Sequence, residues 1–143
     1  MKTLKFMLLG SLLLLLGACS EAARDDRRAA GYADRLERGE AVSAEEYSEI
    51  VSFYCGALDR AFAELEPPAR EHARMVDSGA DPDEVEKSAA KLQQKVAEVQ
   101  AGRKNITRLG TNLVMQMPSM PDSTRTRLLR YVSDVSARYS DLH

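Results

Sequence analysis

The sequence has few of the side chains on which enzyme active sites and metal centres usually depend. It contains no tryptophan, three phenylalanines, two cysteines and two histidines, His72 and His143. It has no His-Glu-x-x-His motif, no paired-cysteine metal motif, no glycine-rich phosphate loop and no Gly-x-Ser-x-Gly nucleophile motif. These absences argue against the common metal-dependent, nucleotide-dependent and serine-nucleophile enzymes. We therefore expect no enzymatic activity and no cofactor.

Long runs of charge of one sign are also missing. The chain has 20 basic and 22 acidic residues, and nowhere do five or six like charges follow one another. Binding to nucleic acid depends on clustered positive charge, so nucleic acid is not an expected partner. The segment Asp25-Asp26-Arg27-Arg28 mixes both signs and is interpreted as a solvated helix face.

The longest apolar stretch is too short to cross a membrane. It runs from Phe6 to Leu16, whereas a spanning helix needs about 20 apolar residues. Lys2 and Lys5 precede it, and the small residues Gly17 and Ala18 follow it. A positive start, a short apolar stretch and small residues are typical of a cleaved secretory signal.

The end of this stretch, Leu16-Gly17-Ala18-Cys19, resembles the lipobox of bacterial lipoprotein precursors. The resemblance covers roughly the first 20 residues and implies that residues 1–18 are a signal removed by signal peptidase II. It implies further that Cys19 carries lipid, with acyl chains such as palmitate, and so anchors the protein to a membrane. Ser20, where an aspartate would imply inner-membrane retention, favours the outer membrane and leaves its face open. The alternative is an ordinary cleaved signal with an incidental cysteine.

Removing residues 1–18 from the 143-residue chain leaves 125 residues, enough for one compact domain. Two lysines leave with the signal, so 18 basic and 22 acidic residues give a net charge of −4. With lipid on Cys19, Cys55 has no partner for an internal disulfide. Because an exposed thiol is reactive in an oxidising compartment, we expect Cys55 to be buried.

The spacing of apolar residues predicts an all-α fold. A first helix, from Ala23 to Glu37, has only a thin apolar stripe and a stop at Gly39. We expect residues 19–40 to form a lipidated tether with a weak linker helix, and residues 41–143 to form the helical bundle domain. Phe53 is either covered by this first helix or exposed as a partner site.

The second helix has the strongest pattern. Ser43 and Glu46 predict a capping box, with Val42 against Tyr47 as a hydrophobic staple. We expect this helix to end at Pro67-Pro68. Its apolar stripe consists of Tyr47, Val51, Tyr54, Leu58, Ala61 and Leu65, widened by Ile50 and Phe62.

The remaining helices complete an antiparallel bundle of three main helices plus short helices. A short helix is predicted from Pro68 to Gly79, and a longer one from Asp81-Pro82, with a kink or break between Gly102 and Gly110 where its stripe fails. Pro118 and Pro121 close that segment. The last helix begins near Pro121-Asp122-Ser123, and its predicted stripe is Leu128, Val132, Val135 and Tyr139.

Two small groups of residues could carry chemistry. Met115, Met117 and Met120 place three thioethers close together, and thioethers are suitable ligands for Cu(I). The alternative is that they fill gaps at one end of the bundle. Cys55 and His72 could form a thiol nucleophile with its base, or both could be inert residues of the core.

The leading functional hypothesis is a lipid-anchored, non-enzymatic helical module that binds an envelope or surface protein of unknown identity. The negative observations above and the membrane anchor support it. The alternative hypothesis is periplasmic handling of Cu(I) through Met115, Met117 and Met120. No family is apparent for residues 20–143.

Overall fold

In the computed structural model of the protein, residues 20–139 are described, and Tyr139 by its backbone alone. The predicted signal, Cys19 and His143 lie outside this range. The fold is all-α, and residues 20–139 contain no strand. Its elements are α1 (Glu21–Glu37), α2 (Ala44–Asp77), α3 (Pro82–Ala101), α4 (Lys104–Met115), a 3-10 turn (Met117–Ser119) and α5 (Asp122–Tyr139).

The capping box at Ser43 and the glycine stops at Gly39 and Gly79 are confirmed. The Ser43 side chain accepts a hydrogen bond from the backbone N–H of Glu46, whose side chain accepts one from the backbone of Ser43. This reciprocal pair is the predicted capping box. Gly39 and Gly79 follow the ends of α1 and α2 with φ of +69° and +67°, the left-handed conformation that ends many helices.

The predicted end of the second helix at Pro67-Pro68 was wrong, because α2 continues through both prolines to Asp77. The two proline nitrogens lack hydrogen, so the carbonyl groups of Ala63 and Glu64 lose their helical donors. Both of those residues are exposed, and water can reach their carbonyl groups. The second half of α2 also packs against α3, with Ala69 buried. Such packing can offset the cost of an interior proline, about 3 kcal/mol.

The first helix packs as part of the bundle and does not stand apart as the expected weak linker. Ala29 and Ala33 are fully buried, and Leu36 is nearly so. Two alanines allow α1 to approach α4 closely, so a thin apolar stripe is sufficient for burial. Tyr32 of α1 packs on Phe53 with ring centroids 5.4 Å apart. Phe53 is therefore covered by α1 and buried.

Consecutive helices run antiparallel, except that α4 continues in the direction of α3. The first half of α2, with α1, α4 and α5, encloses the hydrophobic core. The second half of α2 pairs with α3 to form a two-helix projection, which we call the arm (residues 66–77 with α3). Hydrogen-bonded pairs of side chains fix these directions. They are Asp25–Arg60 and Arg35–Glu46 between α1 and α2, Asp26–Asn105 and Glu37–Asn112 between α1 and α4, and Ser52–Arg127 and Asp59–Tyr131 between α2 and α5.

The predicted break between Gly102 and Gly110 lies at Gly102 and Arg103, where α3 ends and α4 begins. Arg103 is buried and pairs with the carboxylate of Glu64 at 2.8 Å, while its Nε has no hydrogen-bond partner. Gly110 is buried because the ring of Tyr54 lies on it. A Cβ at this position would lie 2.9 Å from Cζ of Tyr54 and closer still to the hydroxyl oxygen.

One position of the predicted stripe on α5 was wrong. Leu128 is buried, but Val132 is 44% exposed. Tyr131 packs against the core in its place, and Thr124 is buried one turn before Leu128. The buried side of α5 therefore consists of Thr124, Leu128 and Tyr131, and Val132 lies at its edge.

Candidate functional site

A groove open to solvent lies between α2 and α5 in the described part of the chain. Its volume is about 400 Å³, which lies at the lower end of the range for sites that bind small molecules or short segments. The groove is open to solvent along its length. Its walls are formed by Ser52, Cys55, Gly56 and Asp59 from α2 and by Arg127, Arg130, Tyr131 and Asp134 from α5.

Two hydrogen bonds join α2 and α5 at this groove. Arg127 donates from Nη1 to the hydroxyl oxygen of Ser52 at 2.7 Å. The hydroxyl of Tyr131 donates to Oδ1 of Asp59 at 2.5 Å. Burial and the hydrogen bond to Asp59 both raise the pKa of Tyr131 above its usual value. The phenol therefore stays protonated and acts as a donor.

The charges along the groove are arranged as a dipole. Arg127 lies at the end of the groove where it contacts Ser52, and Asp134 lies seven residues further along α5. At 1.5 Å per residue, this separation is about 10 Å along the helix axis. Asp59 adds a second carboxylate toward the Asp134 end. Such a surface is suited to a polar segment with a negative group at one end and a positive group at the other.

Cys55 lies in the wall of the groove and is buried, as the sequence predicted. Burial raises the pKa of its thiol. The positive charge of Arg127 lowers that pKa, and the negative charge of Asp59 raises it. The net effect is a raised pKa, so the thiol is protonated at neutral pH. A protonated thiol is a poor nucleophile.

The structure does not bring His72 to Cys55. Both residues lie on α2, 17 positions apart, which corresponds to about 25 Å along the helix. His72 instead lies in the arm, where its Nδ1 is 2.8 Å from the hydroxyl oxygen of Ser88. Ser88 is buried and also donates to the carbonyl oxygen of Val85. The Cys55–His72 pair is therefore contradicted, and His72 connects the two helices of the arm.

The three methionines lie in different environments around the 3-10 turn. Met120 is buried in the core, and Met117 packs against its edge. Met115, at the end of α4, is 73% exposed. Cu(I) binding through all three would require thioethers that face one point, and this placement gives that hypothesis no support. Among residues 20–139 there is also no group of three histidine, cysteine or acidic residues that could hold a metal ion.

The groove was not identified from the sequence, since its residues lie outside the apolar stripes. Ser52 and Asp59 flank the stripe of α2, and Arg127 and Asp134 flank that of α5. Their spacing of seven is a weak signal for a continuous polar edge on each helix. Only the pairing of α2 with α5 makes the two edges into one surface.

Cys19, the predicted site of lipidation, lies just before the first described residue. Within the part of the chain that the structure covers, none of the helices combines the length and apolar character needed to cross a membrane. No protein-family model, curated protein or solved structure matches the chain.

Proposed function

We propose that the protein is a lipid-anchored helical protein of the bacterial envelope, held in the outer membrane through Cys19, that binds another envelope or surface component without catalysing a reaction. The observation that carries this proposal is the position of α1. Ser20 directly follows Cys19 and caps α1, and its hydroxyl oxygen accepts a hydrogen bond from the backbone N–H of Ala23. A lipid on Cys19 would therefore attach directly to a packed domain.

The groove between α2 and α5 supports a binding role. It offers paired charges of both signs, and Arg130 is exposed at its rim. The pKa of its thiol, Cys55, is raised, and His72 is about 25 Å away along α2. These features favour recognition of a polar partner over nucleophilic chemistry.

Fractionation of cells tests the anchor. The chain with its own first 19 residues should sediment with the outer membrane. A chain in which residues 1–19 are replaced by an ordinary cleavable secretory signal should be found in the soluble fraction, with the same circular dichroism spectrum. If both chains sediment with the membrane, or neither does, the anchor at Cys19 is contradicted.

Site-specific photo-crosslinking tests the binding role. A photoreactive residue at position 130 lies on the rim of the groove, and one at position 70 lies on the arm as a matched exposed control. We expect a discrete crosslinked product from position 130 in intact cells, absent from position 70. The product should disappear when Asp134 is replaced by lysine. Products that are equal at both positions would contradict recognition through the groove.

A further inference from the structure

One side of the arm is formed by small and uncharged residues. Nδ1 of His72 lies 2.8 Å from the hydroxyl oxygen of Ser88, so both residues lie on the contact line between α2 and α3. The next residue of each helix, Ala73 or Ala89, is turned by about 100° in the same sense. Because α2 and α3 run antiparallel, both alanines lie on the same side of the arm. We call it the alanine side, formed by Ala69, Ala73 and Val76 with Ala89, Gln93 and Val96.

The opposite side of the arm differs in charge. It presents Lys91, Lys95 and Glu98, and the last two form an ion pair at 3.8 Å. On the alanine side Ala73 is exposed and Val76 is 52% exposed. Two helices that pair in water usually have charged residues along both flanks of their contact line. A flank of small and apolar residues therefore favours packing against a further helix.

The alanine side continues the surface of α2 on which α5 lies. Ser52 and Asp59 bond to α5, and Ala73, two further steps of seven residues along α2, lies on nearly the same line. α5 runs in the direction of α2. Its last residue, Tyr139, comes eight positions after Tyr131, which meets Asp59. Eight residues rise about 12 Å, so α5 ends near the start of the arm. Within residues 20–139, no helix covers the alanine side beyond that point.

The end of α5 and the bare alanine side form a step that is one helix thick, about 10 Å. A second copy, turned about a two-fold axis perpendicular to the arm, can place its own arm in this step. The tip of that arm, residues 78–81, then lies against the end of α5, and the same contact forms again on the other copy. Two parallel arms would instead bring α5 against α5 and hold the alanine sides apart. The shape therefore favours the antiparallel arrangement.

Charges at the edge of the alanine side complement themselves in this arrangement. Arg70 and Asp77 are exposed and lie seven residues apart on α2. A two-fold axis midway between them places Arg70 of each copy opposite Asp77 of the other. Arg70 also lies 3.4 Å from Glu66 of its own chain, with 81% of its side chain exposed, and such exposed pairs contribute little. Glu86, at the α3 edge, is exposed and can keep its charge in solvent.

From these features we infer that the partner of the alanine side is a second copy of this chain, and that the two arms pack antiparallel as a four-helix bundle. The inference goes beyond the proposed function and depends neither on the lipid anchor nor on the groove. The contact is two helices wide and about 18 Å long. That is smaller than the area of about 800 Å² per partner found in stable complexes, so the dimer should be weak.

Thiol crosslinking in intact cells tests the contact. The full-length chain carries Ala73→Cys, which lies beside the proposed axis, or Lys91→Cys, an exposed control on the opposite side of the arm. Cells are treated with a short, membrane-permeable bismaleimide, and products are identified by mass spectrometry. The chain without an added cysteine is the blank, because Cys55 is buried. We expect several-fold more of a two-chain product from position 73 than from position 91.

Charge reversal tests the antiparallel register in the Ala73→Cys chain. Asp77→Arg places like charges opposite Arg70 and should reduce the two-chain product about threefold to tenfold, since two exposed contacts are lost. Arg70→Asp should have the same effect, and Arg70→Asp/Asp77→Arg should restore the product. Lys95→Glu, on the opposite side of the arm, should leave it unchanged. Circular dichroism checks that each variant is folded.

The possible results separate the parts of the inference. Equal products from positions 73 and 91 would contradict the contact. A product at position 73 that contains a different protein would contradict a second copy as the partner. Single reversals that are not rescued by the double reversal would contradict the antiparallel register. A photoreactive residue at position 70 should also give a product of two chains, whose composition distinguishes it from a product formed at the groove.

Discussion

Alanine in place of Gly110 should destabilise the protein, whereas the same substitution at Gly31 should stabilise it. Both glycines lie inside helices, α4 and α1 respectively. At Gly110 the ring of Tyr54 occupies the space that a Cβ needs, with Cζ at 2.9 Å and Cε2 at 3.1 Å. At Gly31 an added Cβ meets nothing within 4 Å.

The two substitutions share one energetic term and differ in the other. Alanine in place of glycine stabilises a helix interior by about 1 kcal/mol. Only Gly110→Ala adds a steric cost, because the ring of Tyr54 must shift, and overpacking of this kind costs about 1–3 kcal/mol. The difference between the two variants should therefore equal this steric cost, about 1–3 kcal/mol in the free energy of unfolding.

Urea unfolding followed by far-UV circular dichroism measures both free energies. In a Tyr54→Phe background, which removes the nearest atom, the cost of Gly110→Ala should fall. Equal effects of alanine at Gly110 and at Gly31 would refute the close packing of α2 against α4. An unchanged cost in the Phe background would show that the clash lies elsewhere.

Three further predictions follow from single side chains. Glu64→Ala leaves the buried guanidinium of Arg103 without its partner and should cost about 1–3 kcal/mol in urea unfolding. The control Glu66→Ala, whose partner Arg70 is exposed, should cost less than about 0.5 kcal/mol. Equal losses would contradict the burial of the charge of Arg103. Hydrogen bonding to an arginine and an asparagine lowers the pKa of Glu37 from 4.5 to about 2. Its contribution to stability is therefore complete above pH 4.5 and is lost as the pH falls through about 2. Glu37→Gln should flatten acid unfolding in this window, and an unaltered acid profile would contradict the interaction. Cys55 should resist iodoacetamide at neutral pH until the protein is denatured, and rapid modification of the folded protein would contradict its raised pKa.

The local rules of helix formation predicted much of the fold. The capping box at Ser43, the glycine stops and the break after Gly102 all depend on residues close in sequence, so the sequence alone was sufficient. The predicted helix end at Pro67-Pro68 was wrong for the opposite reason. Their cost is local, but the packing of α2 against α3 that offsets it is not, and no short window of sequence contains both.

The candidate site and the role of α1 depend on contacts between distant residues. Arg127 and Ser52 are far apart in sequence, and only the pairing of two helices makes them one surface. The sequence predicted a weak first helix because its stripe consists largely of alanine, yet Ala29 and Ala33 allow close approach to α4.

The mass of the protein purified from membranes tests the account most directly. We predict that the first residue of the mature chain is Cys19, and that its N-terminal peptide carries the mass of a diacylglyceryl group on sulfur together with an acyl chain on nitrogen. An N-terminal peptide that begins elsewhere, or a Cys19 without lipid in protein recovered from cells, would contradict the anchor.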